Sequence, residues 1–143
     1  MKGAAKILLI FIVVVVVVLV GYALFQSRTE IPPTNGGTLQ EAKTFEVVYN
    51  GTAYSPQTLT IKVGDTVKFV NRSATDMWPA SAMHPTHKAY PTTGGCIGST
   101  FDACKDLKPG ESWSFKFDIG GSWKYHDHLN PATFGTVVVK QIK

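Results

Sequence analysis

The chain has 143 residues, 44% of them hydrophobic and 17% charged, with a net charge of +4. That length excludes most multidomain enzymes. The basic residues are spread along the chain with no Lys/Arg cluster, so the charge does not point to nucleic acid.

The first element is an apolar run over residues 7–25, interrupted only by Gly21. At 1.5 Å of rise per residue it matches a hydrocarbon core of about 30 Å. Signal-peptide apolar regions are shorter, and the residues after Gly21 make a poor cleavage site. The run therefore predicts an uncleaved transmembrane helix, with residues 1–25 as a membrane anchor. A cleaved signal, which would shorten the mature protein, is the alternative. Lys2 and Lys6 precede the run, which keeps the N-terminus cytoplasmic and places the rest outside. The expected location is the cell membrane, single-pass, with an extracytoplasmic C-terminal domain.

Residues 26–43 read as a flexible linker, since Pro32-Pro33 and Gly36-Gly37 lie in a stretch without apolar period. From residue 44 to 143 the pattern is β. Phe45, Val47 and Tyr49 alternate with polar or smaller neighbours, as do Leu59, Ile61 and Val63. Trp113, Phe115 and Phe117, then Trp123 and Tyr125, repeat the period, and Thr136 to Val139 forms a last strand. One short helical turn is conceivable over residues 99–107. Short strands with Gly/Pro turns predict an all-β sandwich or small barrel. Cys96 and Cys104, eight positions apart among glycines, predict a disulfide in an oxidising compartment, with two free thiols as the alternative. Asn50-Gly51-Thr52 and Asn71-Arg72-Ser73 match the glycosylation pattern.

The stretch from Tyr54 to Asn71 reads aromatic, x, Pro, alternating apolar residues, Gly64-Asp65, then a strand ending in Asn. Lys108-Pro109-Gly110-Glu111-Ser112 and the segments Gly121–Tyr125 and Gly135–Val139 follow in order. Together they resemble the cupredoxin superfamily, the plastocyanin- and azurin-like proteins. The resemblance implies a Greek-key β-sandwich with copper near one end. The family's ligand loop reads Tyr-x-Cys-x-x-His-Pro-x-Met-x-Gly. With Pro131 and Gly135 in register, Asp127 stands at the Cys, Asn130 at the His and Thr133 at the Met. Trp78 or Pro79 falls where the upstream His belongs. The usual type 1 copper ligands are replaced, and without the thiolate a blue centre is not expected.

All four histidines lie in two pairs, His84-Pro85-Thr86-His87 and His126-Asp127-His128. Both belong to segments that flank the metal end in cupredoxins. Residues two apart on a strand share a face, so His126 and His128 form half of a metal site and His84 and His87 can complete it. Gly121 to Leu129 is also similar to the Trp-x-x-His-x-His segment of multicopper oxidases, whose paired histidines bind type 2 and type 3 copper. One domain with four histidines cannot rebuild that cluster alone. Copper is the expected cofactor, with zinc as the alternative, since imidazole suits both. Asp127 is read as orienting an imidazole or as structural, with direct ligation as an alternative. Met83 and Met77 are candidate soft ligands or packing residues. Trp78 is read as core. The expected role is copper handling or redox chemistry at a non-blue site, with a redox or copper-delivery protein as partner. Conventional electron transfer and a metal-free interaction module are the alternatives. No nucleophile–base pair, phosphate loop or carboxylate dyad points to another enzyme class.

Overall fold

The computed structural model describes residues 15–22 and 41–141. The chain divides into two units, Met1–Gln40 and Glu41–Lys143. In the first, the expected transmembrane helix over residues 7–25 is not supported. Among the described residues no helix is long and apolar enough to cross a membrane. The helix described there covers residues 15–22. The rest of the expected anchor, and linker residues 26–40, lie outside the described residues.

The second unit is all β, in two four-stranded sheets. One has the order β2-β1-β4-β6 and the other β3-β8-β7-β5. The strands are β1 Thr44–Tyr49, β2 Tyr54–Ser55, β3 Thr58–Lys62, β4 Thr66–Asn71, β5 Pro79–Ser81, β6 Ser112–Lys116, β7 Gly121–Asp127 and β8 Asn130–Lys140. β1 pairs parallel with β4, and β3 parallel with β8. The period-two pattern puts Val47, Tyr49, Val67 and Phe69 of one sheet against Ile61, Tyr125, Val137 and Val139 of the other in one buried cluster. Rings join the layers: Tyr125 meets Tyr54 at 5.0 Å and Phe69 at 5.1 Å, both edge-on, an arrangement the ring quadrupole favours.

Turn chemistry fixes the strand ends. Gly64 has φ of 91°, a left-handed conformation that suits glycine. The following Asp65 accepts the Lys62 and Lys43 amides at 2.8 Å each. Asn71 ends β4 with its amide buried, donating to the Thr75 and Leu107 carbonyls at 2.8 and 2.9 Å. That commitment removes Asn71 as a glycosylation acceptor, because its nitrogen is neither exposed nor free.

The long segment between β5 and β6 carries the first histidine pair. It has no helical turn over residues 99–107. Instead it is stitched to β5, where Ser81 N donates to Phe101 O at 2.7 Å and Ala103 N to Pro79 O at 3.1 Å. Cys96 and Cys104 form a disulfide, so both cysteines of the chain are committed.

Candidate metal centre

Two elements bring the histidines together. After β5 the chain turns, with Thr86 N and His87 N both donating to Met83 O at 3.1 and 2.8 Å. The turn puts His84 and His87 side by side, their ring centroids 4.5 Å apart. Across from them, β7 ends in His126 and Asp127, where the β7–β8 register shifts. His128 N then donates to Trp78 O at 2.7 Å. Tyr125 points into the sandwich core while His126 is buried away from the core cluster.

One nitrogen from each of His84, His87, His126 and His128 lies within 4.8 Å of the other three. The six ring–ring separations run from 4.5 to 6.1 Å. In a square the two long separations are diagonals that share no ring. Here the two longest, 6.1 and 5.5 Å, both involve His128. The four rings therefore form a distorted tetrahedron with His128 set outward.

The hydrogen bonds favour a ligating state. His87 Nδ1 lies 3.0 Å from the Ser81 carbonyl, which can only accept, so Nδ1 carries the proton and Nε2 keeps a lone pair. That Nε2 faces His84 Nδ1 at 3.2 Å. A backbone carbonyl holding the far nitrogen of an imidazole is the usual support behind a metal ligand. His126 Nε2 and His128 Nδ1 are buried without a hydrogen-bond partner. Orphaned buried nitrogens are costly, and a metal ion is one way to satisfy them.

Protonation points the same way. Burial pushes His126 down from 6.5 to about 4, with the neighbouring His87, His84 and His128 adding to the effect. Burial also lowers His87, against the raising effect of the Ser81 carbonyl. Neutral imidazole is the form that ligates.

The remaining candidates sit elsewhere. Asp127 is 1% exposed, and its Oδ1 accepts Trp78 N at 2.8 Å and Leu129 N at 3.1 Å. It braces the turn between the paired segments. Met77 is fully buried in the core, tied by backbone bonds to Leu107. Met83 is 66% exposed and lines a cavity of about 320 Å³ with His84, His126, Lys124 and Phe134. Cys96, Cys104 and Asp102 also lie close together, but the disulfide occupies both sulfurs.

Two supporting residues carry no motif. Trp78, expected in the core, is only half-buried. Its ring lies 4.8 Å from that of His128, and its Nε1 donates to Asp102 Oδ1 at 2.7 Å. Asp102 sits in an unremarkable Phe-Asp-Ala stretch. The one hint was Trp78 standing where cupredoxins carry their upstream ligand.

No protein-family model matches the chain, and no curated protein matches it. Solved structures do. A reduced-state amicyanin mutant is 26% identical, over 68% of this chain and 82% of that one, with a TM-score of 0.53. A purple cupredoxin from Nitrosopumilus maritimus is 24% identical, over 70% of this chain and 100% of that one, at 0.54. A copper-containing nitrite reductase from Thermus scotoductus is 21% identical, over 70% of this chain and 23% of that one, at 0.54. The last two show the fold alone.

Proposed function

Because the β domain of this chain is cupredoxin-like, we propose that it binds one copper ion through His84, His87, His126 and His128. The carrying observation is the convergence of four imidazole nitrogens within 4.8 Å, from a group in which His126 and His128 each carry a buried nitrogen without a partner. With both cysteines in the disulfide, no thiolate is available, and a blue copper–thiolate centre is excluded for this donor set. A bound copper ion would supply one-electron redox chemistry or be the cargo itself. The protein's own part is to hold three or four neutral imidazoles in place, with the Ser81 carbonyl fixing the His87 tautomer.

The role we favour is copper handling outside the cytoplasm, in exchange with a redox or copper-delivery protein. The disulfide fits an oxidising compartment. His84 is exposed, and the cavity beside it, edged by exposed Met83 and Phe134, leaves the centre accessible to a partner. Zinc is the second reading, favoured by the near-tetrahedral ring arrangement, which suits that ion.

Titration of the full chain with Cu(II) and Zn(II) tests the proposal. One tight equivalent is expected, with a weak visible band for copper, and its loss in His84→Ala and His126→Ala. Binding that survives both substitutions, or no binding at all, would sink it.

A further inference from the structure

The inference that follows rests on the proposed metal site and concerns the charge around it. Four neutral imidazoles bring no charge to the ion they hold. A buried carboxylate does stand nearby. Asp102 is 6% exposed, and its Oδ1 accepts Trp78 Nε1 at 2.7 Å and Cys104 N at 2.8 Å. Its Oδ2 is buried with no partner. None of the ion pairs among the described residues involves it. A buried carboxylate without a cation is an uncompensated charge, which proteins rarely keep.

Its neighbours identify what the charge faces. Through Trp78 the carboxylate reaches the ring packed on His128. Asp102 is thus joined to the histidine group through the indole, and through β5, where its bridge partner Ala80 pairs with His126. The backbone holds it there: Asp102 bridges Ala80 of β5, and flanking Phe101 and Ala103 are buried.

We propose that Asp102 is the counter-charge of the histidine centre and makes the centre discriminate for divalent over monovalent ions. A carboxylate stabilises a doubly charged ion more than a singly charged one at the same place. For copper it favours Cu(II) over Cu(I) and lowers the midpoint potential. Asp102 acts from behind the ligands and is a positioning and charge-setting residue, not a ligand.

The test compares the full chain with Asp102→Asn, which keeps an acceptor oxygen for the indole and the Cys104 amide. Affinities for Cu(II), Cu(I), Zn(II) and Ag(I) are measured by chelator competition, alongside the copper midpoint potential. The neutral variant is expected to lose about tenfold in Cu(II) and Zn(II) affinity with Cu(I) and Ag(I) changed less than threefold. A tenfold shift in the Cu(II)/Cu(I) ratio raises the potential by about 59 mV. Asp102→Glu, which keeps the charge, is expected to stay nearer the wild-type ratio. Asp102→Ser is the second neutral variant, used should Asp102→Asn not fold. Equal losses for all four ions, with an unmoved potential, would make Asp102 a packing residue and overturn the idea. No change for any ion overturns it equally. Failure of the wild-type chain to bind any ion overturns the site itself, a distinct result.

Discussion

His126 shows what burial does to one side chain. It is 4% exposed and its pKa is pushed down to about 4, first by burial and then by the neighbouring imidazoles. In the unfolded chain the same ring titrates near 6.5. A group whose folded pKa is depressed stabilises the fold above its unfolded pKa, and that stability drains as pH falls through the folded value. The metal-free protein is therefore expected to be most stable above about pH 6.5 and to weaken toward about pH 4. His87, lowered by the same cause, adds to the loss. The expected decline is on the order of 2 kcal/mol. Urea unfolding at pH 7 and pH 4.5, with chelator present, reads it directly. His126→Gln should flatten the slope, and a wild-type stability flat over that range would refute the burial argument.

At the scale of the strand, the alternation of apolar residues placed β1, β3, β6 and β7 correctly because each has one face on the core and side chains alternate along a strand. What alternation could not place was the support between strands. Tyr125 of β7 lies opposite Gly135 of β8, and its ring folds across that glycine. A Cβ at position 135 would stand 2.3 Å from the Tyr125 hydroxyl and 2.5 Å from the ring carbon bearing it. Tyr125 is 1% exposed and wedged against Tyr54 and Phe69, so it cannot give way. Gly135→Ala is expected to destabilise the domain by about 1–3 kcal/mol, the usual cost of overpacking. Chemical denaturation with unchanged m-value would measure it, and a difference below about 0.5 kcal/mol would place the variant among neutral surface changes. In the sequence this glycine was legible only as a match to the cupredoxin pattern. Its physical reason needs the cross-strand register.

Across the whole domain, the site joins segments that lie some forty positions apart in the chain. The pairing of the histidines was legible because each pair is local, and the cupredoxin resemblance placed both pairs at one end of the sandwich. Ser81 and Asp102 were not legible, and Trp78 was marked only by its place at the upstream-ligand position, because none recurs at a ligand spacing and each acts through a contact made only in the fold. The same distance in sequence has an energetic consequence. An ion held by His84 and His87 on one segment and by His126 and His128 on another binds the folded chain alone and crosslinks the β5–β6 segment to β7. Binding to the native state alone adds stability by mass action, about 2.7 kcal/mol at a free ion concentration of 100 times Kd. For a domain of this size that is a rise in Tm of roughly 10 °C or more. Thermal unfolding of the full chain with and without Cu(II), and again after chelator, should give that rise and its reversal. The shift should vanish in the His84→Ala/His126→Ala double variant, while the metal-free Tm of that variant stays near or above the wild-type value at pH 5, where the buried His126 imidazole opposes folding. A rise that persists in the double variant would mean the ion binds somewhere other than the four histidines.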